Sequence, residues 1–202
     1  MTGDKHLDVE SLKRFVPPDG IPMRINKIGH IVINVPDLER SVAFYTQVLG
    51  FRVSDVYDER MVPGGMVFMR FGNDHHGVAL VGNRSADLAT GGRTNGDLNH
   101  FAFEVSTLDQ VLQAREHLRA NGVRIIFEGR RRAGCQIAVE FLDPDGNNLE
   151  IYCLLDQVGS DGIVRPSSER SEAFSLEDAI ARPVRGQDVC VHRRDLLAQQ
   201  RP

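Results

Sequence analysis

Residues 29–35, GHIVINV, and residues 99–105, NHFAFEV, decide how this chain is read. Each puts a histidine second, continues with apolar residues and ends in valine before a polar turn. The segments after them repeat as well. PDLERSVAFYTQVLGF comes after the first copy and STLDQVLQAREHLRANGV after the second. The first carries Val42, Tyr45, Val48 and Leu49 at helical spacing; the second carries Leu108, Val111, Leu112 and Leu118, with Arg115 on the same stripe. Both patterns close on a glycine, Gly50 and Gly122, the residue suited to the left-handed turn after a helix. Three strand-like runs then succeed each helix: FRVSDVY, MVFMRFG and GVALVGN in the first copy, VRIIFEG, QIAVEFL and NNLEIYC in the second. The unit is βαβββ, used twice, so the predicted fold class is α+β. Asp143-Pro144-Asp145-Gly146 predicts a hairpin between the last two strands.

Working outward, residues 1–24 read as an N-terminal extension with a short helical stretch and Pro17-Pro18-Asp19-Gly20. The modules span about 25–83 and 96–155 inside a domain of 25–155, and NRSADLATGGRTNGDL connects them. Residues 156–202 form a C-terminal tail expected to be partly ordered or to cover a neighbour. At 202 residues the chain fits the upper end of one ordinary domain, and 41% hydrophobic with 26% charged residues supports a buried core. The net charge of −4 provides no basic field for phosphates, which argues against nucleic acid and anionic membrane as partners. Three cysteines without a CxxC pair suggest a reducing setting. The opening MTGDKHLDVESLKRF lacks the apolar stretch of a signal peptide, so a cytoplasmic location is expected.

The histidines His30 and His100 lie 70 residues apart, and the same offset carries Leu80 onto Glu150. Strand alternation places Ile31, Ile33 and Val35 on the face that a helix covers, leaving His30 on the other. In the second copy Phe101, Phe103 and Val105 face the helix, and so do Leu149, Ile151 and Cys153 on the last strand. His100 and Glu150 therefore share the opposite face. Two imidazoles and one carboxylate suit a borderline divalent metal and leave coordination positions open for substrate and O2. By the same alternation His76 shares a face with Val78 and Leu80 and looks into this cavity, while His75 points away. A cavity histidine that is not a ligand can move protons near neutral pH.

IGHIVINVPDLERSVAFYTQVLGF, NDHHGVALV, LNHFAFEV and FLDPDGNNLEIY, in this order, resemble the vicinal oxygen chelate superfamily across residues 25–155. They look most like the module pair of type I extradiol ring-cleaving dioxygenases. The resemblance implies two βαβββ modules paired into an open, cup-like barrel around a metal. It implies Fe(II), with Mn(II) or another divalent metal as alternatives, held by His30, His100 and Glu150, and His76 as acid/base residue. Leu80 would stand where glyoxalase-type members carry a fourth ligand. The pattern departs from the family at two substrate-contacting positions: Glu140 replaces a tyrosine, and Arg131 replaces a histidine. The activity implied is cleavage of a catechol-type aromatic substrate with O2, in aromatic compound catabolism, by a homodimer. Two alternatives stay open: a non-redox lyase, isomerase or thiol transferase on the same scaffold, and a metal-free small-molecule binding protein.

Overall fold

A computed structural model describes residues 8–16, 19, 27–82, 98–158 and 162–189. The connection between the modules, most of the N-terminal extension and the end of the tail lie outside those residues. After a short helix α1 (Val9–Lys13), the first module runs β1 (Ile31–Val35), α2 (Leu38–Ala43), β2 (Arg52–Tyr57), β3 (Met66–Arg70) and β4 (Val78–Gly82). The second runs β5 (Phe101–Glu104), α3 (Leu108–Ala120), β6 (Ile125–Arg130), β7 (Ile137–Leu142) and β8 (Asn148–Cys153). The sheets are β1-β4-β3-β2 and β5-β8-β7-β6, each with a parallel pair at one edge and antiparallel pairs elsewhere. Among the described residues no strand pairing joins the two sheets, so no barrel closes.

Both helices start where the sequence supplies a cap. Asp37 accepts the Arg40 amide, and Thr107 forms a reciprocal box with Gln110. Both end before a glycine with positive φ, 75° at Gly50 and 67° at Gly122. Between α2 and Gly50 the chain widens into a π-helical turn, Phe44–Val48, which buries the adjacent Phe44 and Tyr45 together. Leu108, Val111, Leu112 and Leu118 bury one face of α3. Ile33, Val35, Phe101 and Leu149 are buried, whereas Val32 on the other face of β1 is 48% exposed. A single apolar core runs through both modules.

The Asp143–Gly146 turn fastens the modules together. The buried Asp143 carboxylate accepts the backbone amides of Asp145 and Asn147, the Asn147 side chain, and the Tyr45 hydroxyl at 3.1 Å. Ser41 and Arg40 on α2 donate to Asp145. Opposite, the ring of Phe103 packs against Phe51 and Phe71, each with centroids 5.4 Å away.

The tail after residue 162 docks on the second module through a 3₁₀ turn, Ser167–Glu169, and α4 (Leu176–Ala181). Arg130 and Ala173 exchange backbone hydrogen bonds of 2.8 and 3.1 Å, and Leu176 and Ala179 enter the core. Gly129 makes room for this crossing: a Cβ there would lie 2.0 Å from the Ala173 carbonyl oxygen.

Sheet register corrects one expectation. Glu150 stands opposite Ala102 in the second module, and the equivalent of Ala102 in the first is Val32, which stands opposite Ala79. The symmetric counterpart of Glu150 is therefore Ala79. Leu80 pairs with Ile33 and is buried in the core on the helix side. A constant offset in sequence fails because the segments between the strands differ by one residue, and one residue of slip exchanges the faces.

Candidate metal centre

Glu150 sits near the start of β8, on the face away from α3, and is only 2% exposed. Its Oε1 accepts the Gln136 side-chain amide at 3.3 Å, and its Oε2 lies 3.4 Å from His100 Nε2. His100 is at the entrance to β5, with Nδ1 2.8 Å from Asn99 Oδ1. An amide oxygen can only accept, so in this contact Nδ1 is the donor, and Nε2 is the ring atom that faces the Glu150 carboxyl. At that separation the two groups either pair directly through a proton or serve as two ligands of one cation. Metal bonds of about 2.1 Å bring neighbouring donors to about 3 Å apart, which fits this pair. Burial pushes the Glu150 carboxyl above its ordinary range, reinforced by Glu140 and opposed by Gln136, His100 and Arg131.

The first module presents its own pair. The rings of His30 and His76 have centroids 4.6 Å apart, and His76 also packs edge-on to Phe68 at 5.0 Å. Phe68 stands opposite Ala79, so His76 reaches the metal-side face even though Val78 and Leu80 point into the core. It does so because it precedes β4 and is freed from strand alternation at Gly77, whose carbonyl accepts the Ile31 amide. His75 is not turned away as alternation predicted: its Nδ1 is 3.1 Å from His76 Nδ1, and its ring lies 6.1 Å from Phe68. Partial desolvation, with His30 and His75 close by, lowers the His76 pKa.

Glu140 stands directly opposite Glu150 on β7, and Phe127 stands opposite Glu140 on β6. Arg131 folds back from the end of β6 over this row. Its guanidinium carbon is 3.5 Å from the Phe127 ring centre, and its Nε and Nη2 both reach Glu140 Oε1 at 2.6 Å. The structure thus pairs His100 with Glu150, His30 with His76 and Arg131 with Glu140. Among the described residues no three His, Cys, Asp or Glu side chains stand together as a metal-holding group. The donor types suit a divalent ion, and His100 with Glu150 forms the part of the set that already converges. Gln136 escaped sequence reasoning, since only the turn before β7 brings its amide to Glu150. Burial pushes the Cys153 thiol up to about 12, leaving it un-ionised near neutral pH.

Residues 27–151 match the model of the Glyoxalase/Bleomycin resistance protein/Dioxygenase superfamily. The chain belongs to that superfamily. Within it, the chain is 33% identical over 126 residues to a biphenyl-2,3-diol 1,2-dioxygenase of Paraburkholderia xenovorans, covering 61% of this chain and 39% of that protein. It is 26% identical over 166 residues to a manganese-dependent 2,3-dihydroxybiphenyl 1,2-dioxygenase of Geobacillus genomosp. 3, covering 80% of this chain and 45% of that protein. It is also 30% identical over 128 residues to a lactoylglutathione lyase of Salmonella typhimurium, covering 62% of this chain and 90% of that protein. This superfamily member therefore spans less than half the length of the two dioxygenases. No helix among its described residues is long and apolar enough to cross a membrane.

Proposed function

We propose that this protein is a metal-dependent extradiol dioxygenase that opens the aromatic ring of a catechol-type substrate with O2. The observation that carries the reading is the His100–Glu150 pair, an imidazole Nε2 3.4 Å from an oxygen of a buried carboxyl. Burying an ionised carboxylate is costly, and a cation bound between the two groups would offset that cost. His100, Glu150 and His30 are the ligands in this reading, with Fe(II) as the metal and Mn(II) as an alternative. Similarity to a manganese-dependent dioxygenase supports a divalent ion. When bound, the metal supplies a positive centre that favours ionisation of a substrate hydroxyl, with open positions beside it. His76 has Nδ1 engaged by His75, which leaves Nε2 to take the hydroxyl proton and return it later. Phe68, packed against His76, shields one side of that ring from water. Ala79, at the position symmetric with Glu150, has no donor atom, which favours three protein ligands over four. The reading extends to a cytoplasmic homodimer acting in aromatic catabolism. Ile28 and Leu98, exposed beside the two histidine strands, support self-association, which sedimentation velocity checks.

The test is anaerobic Fe(II) loading followed by oxygen uptake with substituted catechols, watching for a yellow ring-fission product. His100→Ala should lose the metal. His76→Ala should keep it and lose about 10²- to 10⁴-fold in turnover, the usual contribution of an acid/base group. Full activity of the His76 variant, or stoichiometric iron in the His100 variant, would sink the assignment. A second reading, a non-redox lyase or isomerase, draws on the 90% coverage of the lactoylglutathione lyase. Bound metal with no oxygen uptake across the panel would favour it.

A further inference from the structure

We infer that Arg131 is a recognition residue for an anionic, carboxylate-bearing substrate, and that Glu140 holds it in position rather than touching the substrate. The inference deepens the catechol reading and rests on it for the placement of the chelating oxygens.

Three features of this side chain point the same way. First, Arg131 is clamped on two sides, by the Phe127 ring beneath the guanidinium and by Glu140 Oε1 against Nε and Nη2. A long flexible side chain held this way has already lost most of the freedom that ligand binding would otherwise remove. Second, the two partners are unequally accessible: the Glu140 side chain is 10% exposed and that of Arg131 is 39% exposed. An arriving molecule meets the guanidinium. Third, that group has donors to spare. Of its five N–H groups, those on Nε and Nη2 serve Glu140, and among the described residues Nη1 has no partner.

Position supplies the substrate class. Glu140 and the proposed metal ligand Glu150 are direct cross-strand partners, so their Cβ atoms are about 5 Å apart. A compound whose vicinal oxygens lie over Glu150 can therefore turn a ring substituent toward the free edge of Arg131. A planar carboxylate matches that edge best, because guanidinium and carboxylate share their geometry. Glu140 cancels the charge of Arg131, and Glu150 and Glu172 also act on it electrostatically, so selection rests on oriented N–H donors at short range and not on net charge.

The experiment measures equilibrium binding by calorimetry on Zn(II)-loaded and metal-free protein, using dihydroxybenzoate isomers, their methyl esters and catechol. The wild type should bind at least one acid about tenfold more tightly than its ester, the difference expected for one charge-assisted hydrogen bond. Arg131→Gln should erase that preference, bringing the acid-to-ester affinity ratio to about one in both the Zn(II)-loaded and the metal-free protein. Arg131→Lys should keep only part of it, and so should Glu140→Gln, which frees the guanidinium to wander. Equal affinity of the wild type for every acid and its ester, or a preference that survives Arg131→Gln, would overturn the inference. An Arg131-dependent preference without metal uptake or oxygen consumption would uphold the anion site and overturn the proposed reaction instead.

Discussion

Gln136 determines which oxygen of Glu150 turns to His100 and would be offered to the proposed metal. Its amide donates to Oε1 at 3.3 Å, and Oε2 turns to His100. The other end of the same amide, Oε1 of Gln136, is buried without a hydrogen-bond partner among the described residues. An unpaired buried oxygen is destabilising, so the donor end has a role worth retaining. Groups that orient metal ligands from behind typically change metal affinity 10- to 100-fold when removed. Gln136→Leu should therefore weaken divalent metal binding by about tenfold, read by competition with a coloured chelator. It should leave the urea midpoint of the metal-free protein near that of the wild type, since the leucine fills the same space. Unchanged metal affinity would reduce Gln136 to a packing residue. At this scale residue types were legible in the sequence, but orientation was not. His75 and His76 are adjacent, and only the irregular backbone before Gly77 brings both rings beside Phe68.

Among the elements, the C-terminal segment shows how charge fastens a 3₁₀ turn and a short helix onto a finished sheet. Arg165 grips Asp156 through Nε and Nη2, both at 2.7 Å, and also donates to the Arg185 carbonyl. Hydrogen bonding to Arg165 holds the Asp156 carboxyl below its ordinary 3.8. A carboxylate with a depressed folded pKa contributes stability that is fully present above its unfolded value and lost as pH falls through the folded one. The difference in urea midpoint between wild type and Asp156→Asn should therefore be full above pH about 4 and close progressively below 3.8. A difference that stays constant down to pH 2 would show that the pair does not work through its charge. The π-helical turn is the other feature at this scale. Apolar periodicity predicted the helix and Gly50 its end, but the extra residue in the turn leaves no mark in an apolar pattern. Its effect is to bury Phe44 and Tyr45 side by side, bringing the Tyr45 hydroxyl to Asp143.

Across the whole molecule, the proposed metal ligands are divided between modules, His30 in the first and His100 with Glu150 in the second. Binding that needs both modules must stabilise their association. A ligand at about 100 times its dissociation constant adds about 2.7 kcal/mol to the native state. Thermal unfolding should therefore shift upward on adding Mn(II) or Zn(II) to the wild type. The shift should be largely lost in His30→Ala as well as in His100→Ala. A His30 variant that responds like the wild type would place the metal in the second module alone. The clasp at Asp143–Gly146 and the Phe51–Phe71–Phe103 contact hold the modules together without metal, so the metal-free protein should still unfold as one unit.

The sequence by itself determined the duplicated βαβββ unit, the helix ends and which face of β1, β5 and β8 is apolar. Those features depend on side-chain period and on capping, which act over a few residues. It also carried the resemblance that the superfamily match bears out. Tertiary structure alone decided that Ala79, not Leu80, is the counterpart of Glu150, because strand register depends on the length of everything between the strands. It alone laid Arg131 back on Phe127 at the end of β6, a matter of side-chain direction, and docked the tail on β6, a contact set by how distant segments pack.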